Sequence, residues 1–386
     1  MKRTLTFHLS RFTFVIMSAS QTSIYFAIFA VKSKFFSEIQ ENNSMRNKIL
    51  HILTMLPALL LSGSLYAQRI VMLDSSHIIS IRGLSIVDNN TAWLSGSNGT
   101  VARSADGGNN WEWMQVGGFE QTDFRDIEAF DKNTAVIMGI GEPAVILKTH
   151  DGGAHWQTVF KDSRKGMFLD AMEFWNEQSG IVIGDPLEEK IFVARSFDGG
   201  DSWQILPENG LPSAEKGEAM FAASGTNIRS ISLSEAAFVT GGSVSRFFHR
   251  DKKTALPLLQ GKETTGANSL AVYHNKKRKS AQNMVVAGGD FSNDSISQGN
   301  CAVSSDGGAT WAVPAIPPRG YKSCVEFITA KRLIACGTSG VDISEDGGMH
   351  WRQISRLSFH TCRKAKKGNL VLLAGKDGRI AKLDWD

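Results

Sequence analysis

Seven short stretches along the chain place a polar side chain beside apolar neighbours in the same way. They are Ile81-Arg82-Gly83-Leu84, Phe124-Arg125-Asp126-Ile127, Leu169-Asp170-Ala171-Met172, Ile228-Arg229-Ser230-Ile231, Ala267-Asn268-Ser269-Leu270, Tyr321-Lys322-Ser323-Cys324 and Phe359-His360-Thr361-Cys362. Aligned on their apolar residues, one position carries Arg82, Arg125, Asp170, Arg229, Asn268, Lys322 and His360. Three guanidinium groups and an ammonium brought to one point would bind an anion through charge-assisted hydrogen bonds. The alternative is a hydrated channel whose polar side chains pair with one another, such as Arg125 with Asp170. A second chemistry rests on Asp170, Glu218 and Tyr321, the candidates for catalytic roles. A carboxyl group there acts as a general acid only if its pKa is raised.

Such a convergence needs a repeat to produce it, and the chain carries one. Ser104-Ala105-Asp106-Gly107-Gly108-Asn109-Asn110-Trp111 returns at Thr149–Trp156, Ser196–Trp203, Ser304–Trp311 and Ser344–Trp351, always as Ser/Thr-x-Asp-x-Gly-x-x-Trp. A hydroxyl and a carboxylate two residues apart satisfy turn backbone groups. The glycines permit positive φ where the chain reverses, and the Trp packs back over the hairpin. The element resembles the Asp-box, or BNR repeat, of β-propellers. In such hairpins the Asp is engaged by its own loop, so Asp106, Asp151, Asp198, Asp306 and Asp346 are read as structural.

The boxes begin at residues 104, 149, 196, 304 and 344. The intervals match one repeat each, except the long one, which has room for two; repeats of this size with several strands are propeller blades. An apolar strand ending in Gly precedes each box, and counting these strands, from Ala92–Gly96 to Leu370–Gly375, gives seven. The expected fold is all-β: a single seven-bladed β-propeller of four-stranded antiparallel blades. The fourth repeat has a worn box near Asp251, and the seventh ends a strand early. A ring left open would expose two sheet edges. The strand-like Arg69–Leu73 is therefore expected to supply the outermost strand of blade seven. The boxes join third and fourth strands. The inner-strand starts lie on the opposite face, and the mouth of the axis is the place to seek a site.

Loops expected on that face add Glu142, Asp185 and Asp290. The longest insertion, residues 206–227, carries Glu215, Glu218 and the small-residue run Ala222-Ala223-Ser224-Gly225-Thr226. Long connections in compact repeats are often functional; the plain alternative is a solvated flap. The basic runs Lys276–Lys279 and Arg363–Lys367 fall at first-to-second-strand turns on the box face and read as solvated, with a polyanion contact as the alternative.

Residues 1–44 read as an extension outside the fold. Residues 45–67 read as a signal peptide, with Met45 as the start, Arg46 and Lys48 as the basic region, an apolar Ile49–Leu61, and cleavage after Ala67. Residues 68–386 form the propeller. The competing readings are a start at Met1 and a membrane anchor in Phe12–Val31 or Ile49–Leu61. After cleavage no stable membrane span is expected, and the protein is expected to be periplasmic or secreted and monomeric. Export would permit disulfides among Cys301, Cys324, Cys336 and Cys362, with Cys324 facing Cys336 across a hairpin or pairing with Cys362; buried free thiols are the alternative. No Cys-x-x-Cys occurs and no metal site is expected. The net charge of +4 is mild and spread along the chain, which argues against a nucleic-acid partner. No Gly-x-Gly-x-x-Gly opens a helix after a strand, and no cofactor is expected.

The repeat Gly-x-x-Gly-x-x-x-x-Ser-x-Asp-Gly-Gly-x-x-Trp, from Gly96 to Trp111, resembles photosystem II stability/assembly factor-like propellers over nearly all of residues 68–386. The resemblance implies an exported, non-catalytic binding or assembly module with a protein or anionic glycan ligand at the axial mouth. It does not imply a photosynthetic role. The alternative is a glycoside hydrolase of sialidase-like type. For that family Arg82, Arg125 and Arg229 would stand as the arginine triad and Tyr321 as the nucleophile. The Arg-Ile-Pro signature, however, is replaced by Arg82-Gly83-Leu84, and sialidases have six blades. A carboxylate pair of the usual glycosidase kind cannot be picked out.

Overall fold

The computed structural model of the chain describes residues 68–274 and 281–385. It also describes a separate two-stranded antiparallel hairpin, Leu5–Leu9 with Phe12–Ile16, inside the stretch read as an extension. The signal-peptide region at 45–67 and the basic run 276–279 lie outside the described residues. Among the described residues no helix is long and apolar enough to cross a membrane.

From Arg69 onward the chain forms seven antiparallel sheets in sequence order. The inner strands are Ile81–Ile86, Phe124–Ala129, Leu169–Phe174, Ile228–Ser230, Thr265–Tyr273, Cys324–Phe327 and Thr361–Lys364. Seven apolar clusters occupy the seams, one between each pair of neighbouring blades. One of them joins Leu84 and Ile86 of blade one to Leu370 and Leu372 of blade seven, so the ring is shut. Each large apolar side chain buried in a seam contributes about 1.5–3 kcal/mol, and these contacts fall between blades as much as within them.

Closure is also made by strand pairing between the two ends of the propeller. Arg69–Asp74 pairs antiparallel with Ile380–Asp384, placing the first strand of the propeller as the outermost strand of blade seven, as expected. Blade five departs from the four-stranded plan. Its outer strand shrinks to one bridge, Val303 with Ala312, because Pro314 two residues on has no N–H to continue a ladder. Its sheet grows inward instead, through Gly241–Gly242 and Glu218–Ala219.

The boxes behave alike. In the first, Ser104 Oγ donates to Asp106 Oδ1 at 2.9 Å and accepts from Gly108 N, and Asp106 Oδ1 accepts from Asn110 N at 2.9 Å. The same bonds recur at Thr149/Asp151, Ser196/Asp198, Ser304/Asp306 and Ser344/Asp346. The box glycine before the two variable residues has a second task. A Cβ on Gly308 would lie 2.3 Å from the Phe247 ring of blade four, and one on Gly153 2.8 Å from Met114 of blade one. Both have φ above +80°. The box therefore sets the spacing between blades as well as its own turn.

All four cysteines of the propeller are buried free thiols. Cys324 and Cys336 are direct cross-strand partners, and Cys324 Sγ also lies 3.3 Å from the carbonyl oxygen of Cys362 in the next blade.

Candidate functional site at the axial mouth

Inner strands begin at the mouth with a shared irregularity. The pairing register slips between Ile81 and Gly83, Phe124 and Asp126, Leu169 and Ala171, and Ala267 and Ser269. The residue skipped each time is Arg82, Arg125, Asp170 or Asn268. A bulge re-aims its extra side chain, which is why these positions hold polar groups beside buried apolar ones.

The mouth they face is filled by the chain itself. The run Phe221–Asn227 crosses it, and Ala222 to Asn227 are buried. Arg82 of blade one donates to the Ala223 carbonyl at 3.1 Å, and Arg125 of blade two to the Ala222 carbonyl at 3.4 Å. Arg363 of blade seven donates to the Gly225 carbonyl at 3.0 Å. Ser224 Oγ donates to the Ser323 carbonyl of blade six at 2.7 Å, and Thr226 Oγ1 to Ser269 Oγ of blade five at 2.6 Å. Met220 N, just before the run, donates to Asp185 Oδ1 of blade three at 2.9 Å. The small-residue run, expected as a functional loop or a solvated flap, is a plug touching blades on every side. Its side chains are small because the axis is narrow: a Cβ on Gly225 would sit 2.2 Å from the Asp126 carboxyl carbon.

The expected residues divide into three sets. Arg82, Arg125 and Asp170 surround the plug. Burial, with Arg125 close by, lowers the pKa of Arg82. Arg125 is paired with Asp123 at 2.8 Å rather than with Asp170. Asp170 is fully buried and neither carboxyl oxygen has a hydrogen-bond partner. Burial and the neighbouring Asp185 raise its pKa well above the usual range.

Asn268, Tyr321 and His360 form the second set, which stitches blades together. Tyr321 OH donates to Asn268 Oδ1 at 2.7 Å, and burial raises the phenol pKa. His360 Nδ1 lies 3.1 Å from the Ile81 carbonyl. Burial and Arg82 push its pKa down to about 3, so it is neutral and donates that bond.

Lys322 and Arg229 are corrections. Lys322 turns away from the axis into its own blade, Nζ 2.7 Å from Asp342 Oδ2 and 2.8 Å from Ser339 Oγ, with no exposure at all. Arg229 lies deeper than the alignment placed it. Its cross-strand partner is Ala237, which in turn pairs with His249. That makes it the counterpart of Ser85, Glu128, Glu173, Ala271, Glu326 and Arg363 rather than of Arg82. The three arginines do not form a triad.

This deeper level, missed by the sequence reading, is a ring of opposite charges. Arg229 reaches Glu173 at 3.7 Å and Glu326 at 3.3 Å, Arg363 lies 3.9 Å from Glu326, and Lys366 lies 2.5 Å from Glu128. The run Arg363–Lys367 is thus partly turned into the channel rather than solvated. Burial works against the charge of Arg229, but Glu326 and Glu173 hold its pKa above the usual value. Burial pushes Glu326 up to about 8 despite Arg229. Counting by cross-strand partner, instead of by apolar flanks, would have revealed this ring.

Glu218 stands outside the axis. Its carboxylate is taken by Arg246, by Thr240 Oγ1 at 2.5 Å and by Glu215 N at 2.8 Å. It pins the insertion to blade four and has no lone pair left facing solvent. Among the described residues no group of His, Cys, Asp and Glu is arranged to hold a metal.

Seven blades, five of them carrying an Asp-box, around a polar, self-occupied axis define the class: an Asp-box β-propeller. Residues 67–166, the closing strand and first two blades, match the family model of the Photosynthesis system II assembly factor YCF48. Among solved structures, the chain is similar to YCF48 bound to a D1 peptide, at 17% identity and TM-score 0.59, covering 84% of this chain and 96% of that one. It is similar to YCF48 from Cyanidioschyzon merolae at 15% identity and TM-score 0.58, covering 82% and 98%. The WD40 β-propeller domain of Doa1 follows at 12% identity and TM-score 0.55, covering 82% and 97%. Comparison with curated protein sequences gives no match. The chain has the fold of these propellers, and its first two blades match the family model.

Proposed function

We propose that this protein is an exported binding or assembly module that engages a protein partner on the mouth face, with Arg82 and Arg125 as its main donors. One observation carries the reading: both guanidinium groups are aimed at main-chain carbonyls across the mouth. Donors held in that way suit a polypeptide backbone. The similar propeller bound to a D1 peptide supports a protein as the kind of partner. Catalysis finds less support, since Asp170 is sealed, Glu218 is saturated and Tyr321 is bonded to Asn268.

The test compares proteins retained from a cell-envelope extract by the immobilised propeller and by its Arg82→Ala/Arg125→Ala variant. Specific retention lost in the variant is expected; equal retention would refute the role of the mouth. A parallel screen with anionic glycans and chromogenic sialosides covers the other readings. Glycan capture, or turnover abolished by Asp170→Ala or Tyr321→Phe, would replace this one.

A further inference from the structure

The plug has the properties of a bound peptide more than those of a blade element. Between Met220 and Asn227 it has no strand of its own, and its main chain bonds the blades at its C-terminal end, where the Thr226 and Asn227 carbonyls accept from Leu270 N at 2.8 Å and Val239 N at 2.9 Å. Residues 222–225 are held by side chains reaching their backbone: Arg82, Arg125 and Arg363 to three carbonyls in a span of four residues. Its own contributions are two hydroxyl bonds, from Ser224 and Thr226. Four of its central residues are Ala, Ala, Ser and Gly, which bury little apolar area compared with the Leu, Ile and Phe of the seams. Segments poor in apolar contacts and in ladder hydrogen bonds are the ones that open below the global unfolding free energy. Both flanks are anchored independently of it. Glu218–Ala219 pairs with Gly241–Gly242 and is held by Arg246, and Ile228 begins the inner strand of blade four. Residues 221–225 can leave the mouth without unpairing either flank, while Thr226 and Asn227 would give up the two main-chain bonds to Leu270 and Val239.

We propose that Phe221–Asn227 is a tethered surrogate ligand. The mouth is then a site for a turn-forming peptide segment of a partner, one with small side chains and free carbonyls, and the chain's own insertion occupies it until displaced. This rests on the reading of the mouth as the partner-binding face. It adds that the site is autoinhibited and states the backbone chemistry of what replaces the plug. The affinity of any such ligand is reduced by the fraction of molecules whose plug is out.

The probe is a fluorescein-labelled peptide of residues 221–227, titrated by anisotropy into the whole propeller. In the wild type the tethered copy competes and binding is weak. Gly225→Val places a branched side chain against Asp126 and at a positive φ, which evicts the plug. It should tighten peptide binding at least tenfold, and adding Arg82→Ala should remove that gain. A folded Gly225→Val protein that binds no better than wild type overturns the proposal. Hydrogen exchange on the wild type decides independently of that variant's folding. The amides of residues 222–226 should exchange at least tenfold faster than those of Ile127 and Val325 in the inner strands. Exchange only through global unfolding would make the plug a fixed core element and the proposal wrong. In that case envelope-partner retention lost in Arg82→Ala/Arg125→Ala would still leave the broader reading standing.

Discussion

Arg229 of blade four meets Glu326 of blade six across the axis, Nη2 to Oε2 3.3 Å, past the small side chain of Ala271 in the blade between them. A contact between blades that are not neighbours exists because their inner strands converge on one axis. With Glu173 on the other side of Arg229 and Arg363 beyond Glu326, it forms a chain of charges below the plug. Breaking one member of a buried charge group is costlier than never having built it, because the partners left behind stay desolvated. Arg229→Met should lower stability by about 3 kcal/mol, measured by guanidinium denaturation. Arg229→Met combined with Glu326→Gln should recover part of the loss.

The same ring gives stability a pH dependence. Glu326 is pushed up to about 8 by burial, against about 4.3 in an unfolded chain. The folded state therefore binds the extra proton between those values. Its contribution is present at low pH and lost as pH rises through about 8. Asp126, Glu128, Asp170 and Asp185 are raised by burial and act in the same direction. The thermal midpoint should decline from pH 5 to pH 9, and Glu326→Gln should flatten part of that decline. A profile that rises over this range would contradict the assignment.

The boxes act in the opposite sense at acid pH. Hydrogen bonds from His155 hold Asp151 down to about 2, and those from Thr310 and Ser304 hold Asp306 there too. Burial opposes the shift at Asp198, but Ser202 and Ser196 still bring it to about 2. Unfolded Asp titrates near 3.9, so the boxes contribute stability above that value and lose it as pH falls through about 2. Acid unfolding below pH 4 should therefore be steep. Replacing Asp151, Asp198 and Asp306 together with Asn should make it shallower, as followed by tryptophan fluorescence.

Gly308→Ala should be far more damaging than an ordinary turn substitution. The new Cβ meets the Phe247 ring at 2.3 Å, at a φ of +84°. Overpacking of this kind costs about 1–3 kcal/mol, and the backbone strain adds to it. Pairing it with Phe247→Leu should restore part of the loss in chemical denaturation, which a purely local turn effect would not allow.

Removal of residues 68–74 should open the ring at its seam. Ile380–Asp384 would lose its only outer partner and become a free edge, ready to pair with another chain. Size-exclusion chromatography should show association or aggregation of the shortened protein. A well-behaved species with unchanged thermal midpoint would deny the strand its closing role.

What the chain stated openly was whatever is local or periodic. Ser104, Asp106, Gly108 and Trp111 make a turn from their own side chains, so their spacing is readable wherever it recurs, and the recurrence counts the blades. The unpartnered Arg69–Leu73 foretold the closure for a related reason: an edge strand must end somewhere. What only the folded ring decided was the direction in which individual side chains point. Arg229 looks like Arg82 because Ile-Arg-x-Ile mimics Ile-Arg-x-Leu, yet Arg82 sits in a bulge whereas Arg229 pairs regularly with Ala237, at another level of the axis. Lys322 is flanked as the others are, but Asp342, brought near by strand pairing within its own blade, draws it outward. The occupied mouth could not be read from composition either. Ala222 to Thr226 has the makings of a loose loop, and it is buried only because seven inner strands, far apart in the chain, surround the same narrow space.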